Sequence, residues 1–265
     1  MKGKSIKNAI KNTPVLGRLA SKVNRKFRKA ASSNKDVDFY MFDREVADAD
    51  ESSENRSVRQ LRNLLNYTKT SQSSYSAEQY PAGYHTIHFR GQAIKGQRDP
   101  VKRFELIPID FSGKRVLDIG CNQGGMLRHL SKGIKSGVGI DFDSRMINTA
   151  NWISRREKMA NLDFFVFDLQ RERLDLIEDF LPEGRVDVVF LLAVCMWIDN
   201  WKKVIDQVSR ISEIMVFETN GTEQQQCDQI AYLNLVYKSV ILLSAQSDDD
   251  PEQKKRQLYI CEDKL

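Results

Sequence analysis

The stretch from Val116 to Gly125, V-L-D-I-G-C-N-Q-G-G, most constrains what this chain can fold into. Residues 115–119 read as a buried strand that runs into a tight glycine-bearing turn and then into a helix opening at about Gly124. Glycines permit positive φ and close approach, and the free N–H groups of a helix start point outward. Strand, turn and helix together therefore form a cradle for a nucleotide-like ligand. A regular alternation follows. Strands are predicted at 115–119, 137–141, 163–167, 186–192 and 213–218, each rich in β-branched or aromatic residues, with helices at about 124–132, 144–158, 171–180 and 200–210. That rhythm implies an α/β fold with a parallel sheet and right-handed crossovers. Beyond a helix at about 222–234, residues 236–244 and 257–261 read as two strands joined by the polar loop 246–254 with no helix between them. Such a connection predicts an antiparallel hairpin closing one edge of the sheet.

Net charge of +5 conceals an asymmetry, because Met1 to Lys35 carries 11 Lys+Arg and no acid, leaving 41 − 11 = 30 basic against 36 acidic residues in Asp36 to Leu265. The basic balance belongs to the tail, so a basic nucleic-acid face spread over the rest is not expected. From Pro14, the residues Val15, Leu16, Leu19, Val23 and Phe27 recur at helical spacing among Arg18, Lys22, Arg25, Lys26, Arg28 and Lys29. This basic amphipathic helix can dock on an anionic membrane surface, dock on nucleic acid or an acidic partner, serve as a solubilising tail, or be a targeting peptide. No run approaches a membrane span, and a soluble protein is expected. Cys121, Cys195, Cys227 and Cys261 are widely spaced without His partners at ligand spacing. Neither a disulfide framework nor a metal site is expected, and a reducing, cytoplasmic setting fits.

Three segments are therefore expected: a basic tail over 1–35, an N-terminal extension or lid over 36–110, and a ligand-binding α/β domain over 111–265. Within the extension, residues 31–55 read as a linker with a short ordered piece at 39–42. Ser57 caps a helix carrying Val58, Leu61, Leu64 and Leu65, and 71–83 is a loop. Residues 84–89 form a short strand, and Asp99-Pro100 opens a helix through Leu106.

The glycine turn departs from the dinucleotide fingerprint G-x-G-x-x-G, since Asn122 stands at the middle glycine. Asp118 lies two residues before Gly120, where an acid can accept hydrogen bonds from a ligand ammonium group, and Asn tolerates a left-handed backbone. D-I-G-C-N-Q-G, followed by G-V-G-I-D with Asp141, resembles the first motif and its successor in class I S-adenosylmethionine-dependent methyltransferases, whose pattern is D-x-G-x-G-x-G. The resemblance covers about 111–265. It implies a Rossmann-like, seven-stranded, mostly parallel sheet with helices on both faces, ending in the antiparallel hairpin. It also implies S-adenosyl-L-methionine as the cofactor. Carried over, Asp118, Gly120, Asn122 and Gly124 surround the methionine part, and Asp141, 23 positions beyond Asp118, takes the ribose hydroxyls. Phe142 stacks beside the adenine, whose amino group meets Asp168 with the Leu169 backbone nearby. The alternative for Asp118 and Asp168 is that they cap the helices that follow, and for Asp141 that it is an ordinary strand-end acid.

Catalytic residues are hard to see in such enzymes, because positioning of a nucleophile beside an already reactive sulfonium supplies much of the acceleration. The fourth strand ends in L-L-A-V-C-M-W-I-D-N-W, without [DNS]-P-P-[YFW] and without Pro before Cys195, which disfavours exocyclic base amines and cytosine C5 as acceptors. Trp197 and Trp201 either wall the acceptor pocket or fill the core. Glu218, in F-E-T-N-G, is a candidate general base or a helix cap. His85 and His88 line the site or are exposed strand residues. Arg98 is a candidate partner for the methionine carboxylate or a solvated charge beside Asp99. Gln97-Arg98 resembles the corresponding stretch of methyltransferases of bacterial surface polysaccharide assembly, while G-I-D-F-D-S-R-M-I-N and the Trp-rich fourth strand resemble enzymes that methylate an RNA 5′ phosphate. Three functions follow: O-methylation of a saccharide, phosphate or lipid-linked acceptor at the cytoplasmic membrane face, RNA methylation, or a non-catalytic subunit that keeps the fold and binds a partner.

Overall fold

A computed structural model describes residues 53–69, 79–246 and 255–265. The basic helix expected after Pro14, the ordered piece at 39–42 and most of the loops at 71–83 and 246–254 lie outside them. Residues 51–265 cluster as one compact unit, so the packing shows no boundary at 111.

A seven-stranded sheet carries the fold. In chain order its strands are β5 (Arg115–Ile119), β6 (Ser136–Asp141), β7 (Leu162–Val166), β8 (Val186–Leu192), β9 (Ser212–Glu218), β10 (Tyr237–Ser244) and β11 (Leu258–Lys264), numbered after four short strands upstream. The spatial order is β10-β11-β9-β8-β5-β6-β7. β5 to β9 pair in parallel, and β11 inserts antiparallel between β9 and β10. The hairpin expected at the sheet edge is present, with its first strand outermost.

Apolar residues on successive positions of β5 and β8 face opposite ways, as a strand buried on both sides requires. Leu117, Ile119, Val189 and Leu191 pack against Val204, Ile205 and Val208 of α5 (Trp201–Ile211) and Leu233 of α6 (Glu223–Val236). Val116, Val188 and Phe190 pack against Met126 and Leu127 of α3 (Gly125–Leu130) and Ile147 and Ala150 of α4 (Ser144–Glu157). Helices thus cover both faces. Asp118 shares the side of Val116 and faces the α3 layer.

The upstream segment is built onto this core. Val58, Leu61 and Leu65 of α1 (Ser53–Thr68) join Ile87, Phe89 and Ile94 against Ile153 of α4. The strand expected over 84–89 is instead two, β1 (Gly83–His85) and β2 (Ile87–Phe89). β1 pairs with β4 (Gly96–Arg98), and β2 pairs with β3 (Gln92–Ile94). The break falls at Thr86, whose hydroxyl accepts the Gly96 N–H at 3.1 Å. His85 is consequently buried and His88 exposed. Asp99 caps α2 (Pro100–Phe104) by accepting the Val101 N–H, as Asp-Pro predicts, and this helix ends two residues before Leu106. Residues 171–180 form no α-helix. Glu172 accepts the Asp168 N–H and Asp168 accepts the Gln170 N–H, side-chain bonds that compete with a helix start and leave a 3-10 helix over Leu174–Phe180.

Candidate functional site

Three left-handed residues make the turn after β5: Gly120 (φ 75°), Asn122 (φ 52°) and Gly124 (φ 71°). The Ile140 carbonyl at the end of β6 accepts the N–H groups of Gly120 and Cys121 at 2.8 and 3.0 Å. Asp141 secures the same turn from its side chain. Its Oδ2 accepts the Asn122 N–H and its Oδ1 the Asp143 N–H, both at 2.9 Å. Burial raises the Asp141 carboxyl above its usual range, and the backbone donors oppose that shift. Room at the turn is limited. A Cβ on Gly120 would stand 2.8 Å from Val194 Cγ2, and one on Gly124 would stand 2.5 Å from the Phe164 ring.

Asp118 lies behind the turn, 3% exposed, and its Oδ2 has no hydrogen-bond partner. Burial, reinforced by the nearby Asp141 charge, pushes its carboxyl up to about 8. An unpartnered buried acceptor of this kind is what a ligand ammonium group would satisfy.

A cavity of about 1450 Å³ opens at the carboxyl ends of β5, β6 and β8. This is the side on which open α/β sheets bind ligands. Its lining includes Gly120, Asn122, Asp141, Phe142, Asp168 and Leu169, six of the residues expected from sequence. Phe142 is 74% exposed and lines the cavity, where a flat ligand would cover its face. Asp168 accepts the Gln170 N–H and lies 3.5 Å from Arg171, while the Leu169 carbonyl accepts from Asn200. Asp118, behind the turn, and Gly124, its last left-handed residue, are not in the cavity lining.

Two expectations need correction. Arg98 and Glu218 do not line the cavity; they hold each other. The Arg98 guanidinium grips both Glu218 oxygens at 3.2 Å, Arg103 donates to Oε2 at 3.0 Å, and Arg256 lies 3.7 Å from Oε1. A carboxylate that already accepts from two guanidinium groups, 3% exposed, is a poor proton acceptor for a substrate hydroxyl. Nor is the Arg98 fork directed at a ligand carboxylate. Its neighbours do reach the cavity: Tyr84 of β1 and Gln97 of β4 line it beside the glycine turn. The tight β1–β4 pairing, in which a Cβ on Gly96 would collide with the His85 backbone, places them there.

The rest of the cavity lining was barely visible in the sequence. Asn220, Thr222, Gln225 and Gln226 from the β9 exit and the start of α6 face Lys255, Arg256 and Gln257 leading into β11. Asn220, 2% exposed, bridges two strand exits: its Nδ2 donates to the Ala193 carbonyl at 2.5 Å and its Oδ1 accepts the Met196 N–H at 2.9 Å. Gln229 closes on its backbone from α6. Ala193 is held left-handed, φ 58°. The structure also separates the two tryptophans. Trp201 is partly buried edge-on to Tyr232, whereas Trp197 is 75% exposed and lines the cavity. Among the described residues, no cluster of His, Cys, Asp or Glu could hold a metal ion, and no helix is long and apolar enough to cross a membrane.

A family model described as a methyltransferase domain matches residues 87–247. The chain is 33% identical over 102 residues to the putative methyltransferase 235L of Invertebrate iridescent virus 6, covering 38% of this chain and 34% of that protein. It is 37% identical over 82 residues to the probable RNA methyltransferase At5g51130 of Arabidopsis thaliana, covering 30% of this chain and 26% of that protein. The matched part is thus well under half the length of either relative. The N-terminal domain of EvdMO1, whose crystal structure was solved in the presence of SAH and D-fucose, superposes with a TM-score of 0.57 at 14% identity, covering 81% of this chain and 99% of that one. At that identity the likeness is one of fold. The family model spans more than half of the chain and the sheet beneath it has the expected order, so the chain belongs to the class I S-adenosylmethionine-dependent methyltransferase superfamily.

Proposed function

We propose that this chain transfers a methyl group from S-adenosylmethionine to an oxygen of a saccharide, phosphate or lipid-linked acceptor. The observation that carries the reading is one cavity lined by acids and an exposed Phe142 beside the glycine turn, by amides from the β9 exit and the start of α6, and by an exposed Trp197. The cofactor supplies a sulfonium-bound, electrophilic methyl group. The residues beside the glycine turn fit it: the unpartnered Asp118 Oδ2 suits an ammonium group, and the buried Asp141 suits a ribose diol through the lone pairs its backbone donors leave. Asp168 and the Leu169 backbone suit the adenine edge, and Phe142 its face. Tyr84 and Gln97, which line the cavity where Arg98 does not, would meet the methionine carboxylate. The protein's task is then to hold an acceptor oxygen in line and to keep water out.

The basic tail over 1–35 supports a peripheral role at an anionic membrane face, by charge and amphipathic spacing. Co-sedimentation with anionic liposomes, with and without those residues, tests that part. RNA methylation is the second reading, favoured by the similarity to the Arabidopsis relative. Methyl transfer from labelled cofactor into fractionated host extract decides between them, according to whether label enters lipid, polysaccharide or RNA. Calorimetric titration with S-adenosylmethionine tests the shared core. No binding, or undiminished binding after Asp141→Ala, would overturn the cofactor site. A non-catalytic subunit would bind a partner and leave every fraction unlabelled.

A further inference from the structure

Trp197 sits where its exposure cannot be an accident of an unstructured loop. It ends a short 3-10 turn, Cys195–Trp197, whose root is fixed three ways. The Ala193 N–H donates to the Glu218 carbonyl at 3.0 Å, Asn220 takes the Ala193 carbonyl and the Met196 N–H, and the Trp197 N–H donates to the Val194 carbonyl at 3.0 Å. Ala193 is held left-handed, a strained conformation for a residue with a Cβ, and such strain persists only where the surroundings over-determine it. Val194, next in the chain, lies so close to Gly120 that a Cβ there would stand 2.8 Å from it. The same turn therefore meets the glycine turn with Val194 and presents an indole to the cavity with Trp197.

The charge around this turn selects what can lie on it. A second, smaller depression shares Met196, Ile198 and Gln225 with the main cavity and adds Asp199 and Asp228. Apart from Asp141 and Asp168, which the cofactor would use, the acids lining the two are Asp199, Glu223 and Asp228, against Lys255 and an Arg256 that lies 3.7 Å from the buried Glu218. Asp199 is held by Gln170, which both donates to its carboxylate and accepts its N–H. A polyphosphate backbone finds no basic surface here, and such binding draws on lysines and arginines. An uncharged ring with hydroxyls at its rim and C–H groups on its face matches an exposed indole surrounded by amides and carboxylates.

Resting on the methyltransferase reading above, we propose that Trp197, held out over the cavity by the Asn220 clamp, is the platform on which an uncharged sugar ring of the acceptor lies, with its hydroxyls toward the amides of the α6 start. Asn220 is a positioning residue; Trp197 is the contact.

The test is saturation-transfer NMR on the full chain loaded with S-adenosylhomocysteine, using methyl α-D-glucopyranoside, methyl α-D-mannopyranoside and D-fucose as probes and a mixed-sequence single-stranded RNA decamer as the competitor. Saturation is expected at the ring C–H protons of at least one glycoside. Trp197→Ala should abolish it, with glycoside affinity falling about tenfold or more while calorimetric affinity for S-adenosylhomocysteine stays within about twofold. Trp197→Phe should keep most of the signal. Asn220→Ala should weaken it and also change acrylamide quenching of the tryptophan emission, a shift in the presentation of Trp197 that loss of global stability would not give in the folded baseline. S-adenosylhomocysteine binding without glycoside saturation, saturation undiminished in Trp197→Ala, or displacement of the glycoside by the RNA would each overturn the platform alone. Failure of the wild-type protein to bind S-adenosylhomocysteine would overturn the methyltransferase reading and the platform with it.

Discussion

Asp118→Asn should make the ligand-free protein more stable at neutral pH while weakening cofactor binding. Burial, aided by the Asp141 charge, raises the Asp118 carboxyl from 3.8 to about 8. Between those values the folded state keeps a proton that the unfolded chain has released, so stability must fall as pH rises, then level off above about 8. The slope for one such proton is about 1.4 kcal/mol per pH unit, or about 2 kcal/mol between pH 6.5 and 8. His85 works in the opposite sense. Burial, with the neighbouring Arg98 and Arg128 charges, lowers it from 6.5 to about 3, so it destabilises the fold as pH drops through that range and is silent above it. Burial also raises the Cys121, Cys195 and Cys261 thiols, which lowers stability toward pH 8.5 in both proteins alike, so the difference between wild type and Asp118→Asn from pH 6.5 to 8.5 reports Asp118. Urea denaturation of both proteins across that range should show a wild-type curve that falls with pH and an Asp118→Asn curve that falls less. Calorimetry should show the reverse dependence for S-adenosylhomocysteine: an ammonium beside Asp118 favours the carboxylate, so wild-type affinity should rise toward pH 8, by up to about tenfold per unit, and the variant should lose that rise. A constant stability difference between the two proteins from pH 6.5 to 8.5 would refute the assignment of Asp118 as a carboxyl kept protonated by its surroundings.

Gly120→Ala adds a Cβ at φ 75° and 2.8 Å from Val194. A left-handed alanine costs about 1–2 kcal/mol, so the protein should still fold, with circular dichroism unchanged, yet bind S-adenosylhomocysteine at least about tenfold more weakly because the turn has shifted. Glu218→Gln takes away the carboxylate that Arg98 and Arg103 share in the interior; urea denaturation should show a loss of about 3–5 kcal/mol, and a loss of activity with stability unchanged would instead restore Glu218 as a base. Asn220→Ala removes two side-chain hydrogen bonds between strand exits. It should cost about 2–3 kcal/mol by the same measurement, since buried partners are left unsatisfied.

Legibility from sequence followed the range of the interactions involved. The strands were readable because each is a short apolar run between turn residues, and the acids Asp118, Asp141 and Asp168 because each falls at or just beyond a strand end. Those features are local. Arg98 and Glu218 are 120 residues apart, and no local pattern says that two lone charges will neutralise each other in the interior. Sequence therefore offers Arg98 as a ligand contact or a solvated charge and Glu218 as a base or a helix cap, and neither pair of readings contains the buried ion pair. The stretch 171–180 failed differently: its composition suits a helix, but the side chains of Asp168 and Glu172 offer the backbone a competing set of bonds at its start.

The two tryptophans give the sharpest case. Trp197 and Trp201 lie four residues apart in one apolar-aromatic stretch, and sequence alone left core and pocket open for both. Position in the packed fold separates them. Trp201 opens α5 and turns its ring against Tyr232 of α6, which buries it, while Trp197 ends a turn whose root is already fixed by Asn220 and so is not free to follow its neighbour inward. An exposed indole contributes little to folding, and a left-handed alanine detracts from it. Phe142, which lines the same cavity, is exposed to the same extent. Among the described residues the other large aromatics are buried or half-buried, and the two left uncovered both line one cavity, where ligands would complete the packing. Covering one with cofactor and the other with acceptor should therefore be nearly independent events. Phe142→Ala should weaken S-adenosylhomocysteine without altering glycoside contact in the loaded state, and Trp197→Ala should do the converse; if either substitution moved both affinities equally, separate cofactor and acceptor contacts would be the wrong description of the site.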